Sequence, residues 1–174
     1  MKKSLILLVL VFAAACSGKS DPAAAPASPN GEKTKQMIEE FSSAKRTAKS
    51  VSAKTSELVV VENDGSQTTY PMPKDEFYLS IAPFVEHTHN CYNHNLATCK
   101  GELANKTVHV NVKDASGKVL VDKEVQTYQN GFLDLWVPRG EKVKVKVDYD
   151  GKSSEELLTT NENDRTCVTT MKLS

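Results

Sequence analysis

Three runs in the carboxy-terminal half of the chain alternate apolar and polar residues with a period of two. Val108, Val110 and Val112 alternate with His109, Asn111 and Lys113. Leu133, Leu135 and Val137 share one face after Gly131, and Val143, Val145, Val147 and Tyr149 alternate with lysines. Successive side chains on a strand point to opposite faces, so each run has one apolar side to bury. Asp114-Ala115-Ser116-Gly117, Pro138-Arg139-Gly140 and Asp150-Gly151 supply turns between them. A weaker strand is expected over 155–160 and a last one over 166–173. Short strands at about ten- to twelve-residue spacing predict an antiparallel β-sandwich.

The amino-terminal part reads differently. Lys2 and Lys3 precede an apolar stretch over 5–12, too short to span a bilayer, and Ala13-Ala14-Ala15 follows. This is a signal peptide over residues 1–15. Cys16 comes next, in the arrangement of a bacterial lipoprotein signal, so lipidation at Cys16 is expected. Residues 16–31 are rich in Ser, Pro, Ala and Gly and make a flexible tether. From about Glu32 to Ser50, Met37, Ile38, Phe41, Ala44 and Ala48 fall on one helical face. Two extended segments follow, Leu58 to Glu62 and Phe77 to Ile81, the second expected to be half-buried. The expected division is therefore a helix and strands over 32–83, then a loop and β-sandwich over 84–174. The fold class is mainly β, with a small α+β amino-terminal part.

Charge excludes one function class. With 22 basic and 22 acidic residues, and no basic stripe interleaved with aromatics, nothing favours nucleic acid. Ordinary catalytic motifs are missing too: there is no Gly-x-Ser-x-Gly, phosphate-cradling glycine loop or His-Glu-x-x-His.

Chemistry is concentrated in EHTHNCYNHNLATCKGE, residues 86–102. It holds His87, His89, Cys91, His94 and Cys99, three of the four histidines and two of the four cysteines. Thiolates with imidazoles suit copper or zinc. Export sharpens the point. With Cys16 lipidated, Cys91, Cys99 and Cys167 remain, an odd number of thiols in an oxidising compartment. Three readings are open. A disulfide, Cys91–Cys99 or Cys99–Cys167, would staple a structural module without metal, but leaves one thiol and the histidines unexplained. Zinc on His89, Cys91, His94 and Cys99 lacks the paired Cys-x2-Cys spacing, which makes it the weaker metal reading. Copper fits the donors best: thiolates favour Cu(I), imidazoles can hold Cu(II), and thiols that bind copper can reduce it while closing a disulfide. Cys167 is in phase with the apolar residues of the last strand and sits at its start, where it faces the core or reaches the loop. His109, on the polar side of a regular strand, reads as an ordinary exposed histidine.

The runs FYLSIAPFVEHTHNCYNHNLATCKGEL, VHVNVKDASGKVLVDKEV, NGFLDLWVPRG and DRTCVTTMKL together resemble the CueP family of periplasmic copper-binding proteins. The resemblance covers roughly residues 56–173. It implies a role in copper resistance, with copper passed to a periplasmic Cu,Zn superoxide dismutase, or a thiol-dependent reduction of Cu(II). The family's three clustered cysteines fall on Cys91, Cys99 and Cys167, and its histidines on His89 and His94. His87 lies outside the pattern and is an optional ligand. The resemblance also implies dimers formed through the amino-terminal part. A reducing cycle would need a thiol-disulfide reductase as partner. The lipid anchor at Cys16 would hold the protein at a membrane, in tension with delivery by free diffusion.

Overall fold

A computed structural model describes residues 29–174. The signal peptide, Cys16 and most of the tether lie outside the described residues. Among the described residues there are one helix and eleven strands, the strands forming three sheets. Helix α1 (Pro29–Ser42) is followed by β1 (Ser50–Ala53), β2 (Glu57–Val61), β3 (Gln67–Pro71), β4 (Glu76–Ile81) and β5 (His94–Asn95). Then come β6 (Thr107–Asp114), β7 (Val119–Gln126), β8 (Leu133–Pro138), β9 (Lys142–Tyr149), β10 (Lys152–Thr159) and β11 (Cys167–Val168).

The period-two runs do what their pattern predicts. Sheet β10-β9-β6-β7 is antiparallel throughout and packs its valine face on sheet β11-β4-β8. Val108, Val110, Val112, Val143, Val145 and Val147 on one side meet Phe77, Leu79, Ile81, Leu133, Leu135 and Val137 on the other. Asp150 and Gly151 both take positive φ, 50° and 73°, as a two-residue hairpin turn between β9 and β10 needs.

The second layer of this sandwich is also the middle layer of the molecule. Alternation in β4 predicts a half-buried strand, yet five of its six residues are buried. Its outer face is covered by a second core in which Tyr78 meets Met37, Ile38 and Phe41 of α1 and Val51, Ala53, Leu58 and Val60 of β1 and β2. Those strands belong to sheet β3-β2-β1-β5. The helix is shorter than its apolar periodicity suggests. It ends at Ser42, and Ala44 takes φ 56°, turning the chain away before Ala48 can join the helical face. Strands β1 and β3 carry no strong signal of their own; both pair antiparallel to the Val-rich β2. β3 is exposed along most of its length.

Polar contacts tie the layers together. Ser42 at the end of α1 donates through Oγ to Asp134 Oδ2 (2.5 Å), and Ser80 on β4 donates to Asp134 Oδ1 (2.7 Å). Loss of water around this carboxyl pushes its pKa up, against the two hydroxyl hydrogen bonds that lower it. Arg139 donates to the carbonyls of Thr55 (2.7 Å) and Glu76 (3.0 Å), joining the ends of β1 and β4.

At one point two backbones touch. The amide of Gly101 donates to Asn130 O at 2.6 Å. A Cβ on Gly131 (φ 81°) would stand 2.4 Å from Gly101 O, and one on Gly101 would stand 2.7 Å from Gly131 O. No side chain fits at either position, so the chain just after Cys99 rests directly on the turn that opens β8.

Two outcomes are expected. Gly131→Ala combines a left-handed φ with a backbone clash and should lower unfolding free energy by about 2 kcal/mol or more in urea titration. Asp134 has a raised pKa in the folded state, so its favourable share of stability is complete below the ordinary aspartate range and is lost as pH rises through the folded value. Against Asp134→Asn, the unmodified protein should therefore lose relative stability between acid and neutral pH, read as a narrowing or reversal of the gap in urea midpoints.

Candidate metal centre

The ligand-rich loop leaves β4 where Ala82 donates to Val168 O, and its first residues are gathered by one side chain. Glu102 Oε2 accepts from the amides of Val85 (3.2 Å), Glu86 (2.9 Å) and His87 (2.7 Å). Those bonds, the one from His87 foremost, hold the Glu102 carboxyl below the usual range. Farther along, Tyr92 O accepts from the amides of both Thr166 and Cys167 (3.0 Å each). The loop then pairs with the amino-terminal sheet as β5, His94 opposite Ala53 and Asn95 opposite Ser52. Cys99 is turned back onto β5: its amide donates to Asn95 O (2.9 Å), and the Asn95 amide donates to its sulfur (3.4 Å).

Cys167 arrives from the last strand. It opens β11, which pairs parallel to β4 with Cys167 opposite Ser80. Loop and strand meet at Thr166, whose Oγ1 accepts from the His94 amide (3.0 Å) and donates to Ala53 O (2.6 Å). Thr166, His94 and Cys167 have no exposed surface.

Cys91, His94, Cys99 and Cys167 thereby present one donor atom each, all within 4.8 Å of one another. Cys91 and Cys167 stand as a disulfide, with Cα atoms 5.6 Å apart, and Cys99 is free. The sequence offered Cys91–Cys99 and Cys99–Cys167 as pairings; the fold brings together the third combination. Cys99 Sγ lies 3.6 Å from Cys91 Sγ, and Cys167 Sγ lies 3.7 Å from His94 Nδ1. Donors bound to one ion at about 2.0–2.3 Å cannot be more than about 4.6 Å apart, so the cluster is close to metal-holding dimensions.

Two observations bear on whether a metal suits these donors. The Nε2 atoms of His94 and His89 are both buried with no hydrogen-bond partner, a cost for a buried polar atom, while His94 presents its Nδ1 to Cys167. Burial first, and the nearby His89 second, push the His94 pKa down to about 3. The imidazole is thus neutral, the form that binds metal. Burial raises the Cys99 thiol above its ordinary value, against the Asn95 amide and Lys100, which lower it.

Of the residues singled out from sequence, the fold collects Cys91, His94, Cys99 and Cys167. His89 stands outside that set of four, its ring edge-on to Phe132 with centroids 6.2 Å apart. His87 is exposed, and its backbone is engaged by Glu102. His109 lies on the outer face of β6 between Asp122 (3.0 Å) and Asp148 (3.6 Å). Phe132, Thr166 and Glu102 were not singled out as site residues. Thr166 directly precedes Cys167 and Glu102 closes the loop motif, but neither carries a ligand signal.

The CueP family model, described as periplasmic copper-binding protein CueP, matches residues 34–172. The crystal structure of S.CueP is similar to this one with a TM-score of 0.75 and 35% sequence identity, over 81% of this chain and 89% of that chain. No curated protein matches the chain.

Peptide mapping without reduction should find Cys91 linked to Cys167 and Cys99 as the alkylatable thiol. With its pKa raised, Cys99 should react with iodoacetamide more slowly than a free cysteine at pH 7.5. A Cys91–Cys99 link would contradict the arrangement.

Proposed function

The chain belongs to the CueP family of periplasmic copper-binding proteins, and from that premise we propose that it holds copper as Cu(I) on Cys91, Cys99, Cys167 and His94. The observation that carries this reading is the convergence of three sulfurs and one neutral imidazole, from the mid-chain loop and the last strand, within 4.8 Å. Soft thiolates select Cu(I) over harder ions. His89, one residue beyond Thr88 and with its Nε2 unpartnered, is an auxiliary ligand in this reading. The physiological role is copper resistance, with the ion passed to a periplasmic Cu,Zn superoxide dismutase.

The Cys91–Cys167 disulfide favours a second reading, a thiol-dependent Cu(II) reductase. Oxidation of the two thiols forms one S–S bond, releases two protons and delivers two electrons, which reduce two Cu(II) to two Cu(I). The bonded pair is then the spent form, and a dithiol reductase must return two electrons and two protons before another cycle. Both readings use the same sulfurs, and they differ in whether the protein turns over. Anchoring at a membrane through lipidated Cys16, and pairing of two copies through the amino-terminal part, complete the proposal; metabolic labelling with palmitate tests the anchor.

Fully reduced protein should take up one equivalent of Cu(I) in competition with bathocuproine. Replacing Cys91, Cys99 and Cys167 together by Ser should abolish uptake, and His94→Ala should weaken it about tenfold or more. Equal uptake by the triple variant would sink the assignment and leave a disulfide-stapled module. For the reductase reading, Cu(II) reduction must resume on addition of a disulfide reductase; a halt after one disulfide per chain makes the protein a binder.

A further inference from the structure

One large apolar side chain stands against the donors without supplying any. Phe132 has no exposed surface and shares a buried cluster with Ala82 and Cys167, against which Cys91 and Cys99 pack. Its ring centroid is 4.3 Å from that of His94, at an interplanar angle of 45°, and 6.2 Å from that of His89. Both histidines whose Nε2 atoms are buried and unpartnered therefore lie on this one ring.

Its mounting is rigid. The Phe132 amide donates to Asn130 Oδ1 (3.0 Å), and its carbonyl accepts from the Tyr128 amide (2.7 Å). Gly131, just before it, is in backbone contact with Gly101, two residues after Cys99. The ring and the Cys99 limb of the loop are thus set by the same turn.

The centre is asymmetric about this residue. Half-buried Cys91 opens onto a groove of about 420 Å³ lined also by Asn90, Tyr92, Arg165, Thr169 and Thr170. The inner side, where Cys167 and His94 lie, is closed by Phe132 and Ala82.

We propose that Phe132 is a positioning and shielding residue of the metal centre: its ring sets the His94 imidazole beside the three sulfurs and closes their inner side to water and dioxygen. The inference rests on the copper reading above. An apolar shell controls solvent access to a metal and thereby what can react with it. A Cu(I) ion on sulfur needs no water to complete its coordination, whereas a wet centre lets dioxygen take one electron from Cu(I), giving Cu(II) and superoxide. With this ring in place, access is restricted to the side of the half-buried Cys91 and Cys99.

The test uses the full mature chain, reduced and loaded anaerobically with one equivalent of Cu(I), then exposed to air-saturated buffer. Remaining Cu(I) is followed by its reaction with bathocuproine. Phe132→Ala should lose Cu(I) at least tenfold faster than the unmodified protein, and Phe132→Leu, which keeps apolar bulk without the ring, about threefold to fivefold faster. Phe77→Leu, at an equally buried position in the main core, serves as the control. It should lower Tm and leave the oxidation rate unchanged. Unchanged rates in both Phe132 variants would overturn the proposal, as would an equal acceleration in Phe77→Leu. Where Phe132→Ala does not fold, Phe132→Leu decides. Failure of the unmodified protein to take up Cu(I) would overturn the copper reading itself, and this inference with it.

Discussion

The Thr166 hydroxyl, buried between two sheets, accepts from the His94 amide and donates to Ala53 O. In doing so it satisfies backbone groups of β5 and β1 while standing next to Cys167 in sequence. A buried hydroxyl that keeps both bonds adds little net free energy, but removing it strands a buried amide and a buried carbonyl. The cost of that loss makes the junction specific. His94 is held by the amino-terminal sheet and Cys167 by the middle sheet, and this one side chain sets their separation. The donor cluster is therefore a product of packing between layers and has no existence within the loop alone.

In the proposed copper site, oxidation and metal binding would compete for the same atoms. Cys91 and Cys167 share a bond with each other here, and Cys99 Sγ lies 3.6 Å from Cys91 Sγ. Cys99 is poorly placed to open that bond by itself. An attack in line with an S–S bond of about 2 Å would put Cys99 and Cys167 sulfurs well beyond the 4.8 Å that encloses all four donors. The three sulfurs lie as a triangle, which suits a metal and disfavours internal exchange.

Much of the sandwich was legible because strand period and turn chemistry agree: the valine alternation of β6 and β9 and the Asp150-Gly151 turn each point to one arrangement. The donor loop stood out by ligand density, whereas the phase of Cys167 left it facing the core or reaching the loop, and only the family resemblance placed it with Cys91 and Cys99. What escaped was set by tertiary partners. Nothing in QTTYP marks β3 as a strand until β2 is beside it. Both faces of β4 are buried because a second core covers the first. The end of α1 at Ser42 has no glycine to announce it. The disulfide partner of Cys91 depends on parallel pairing of β11 with β4, a long-range register that spacing does not encode. Phe132 looks like any core aromatic until His94 is laid upon it.

The parallel strand β11 closes the structure with the last residues of the chain, and Leu173 and Ser174 continue it by bonding to Phe84 O and Ser153 O. β1, β4 and the donor loop precede Cys167 in the chain, and Cys167 reaches the loop only when β11 pairs with β4. Until then Cys91, His94 and Cys99 lack their fourth partner, and the groove side of the loop has no β11 to rest against. Donor assembly thus depends on the pairing of β11 with β4. A copy cut short before residue 167 would carry the loop motif intact and still have no centre.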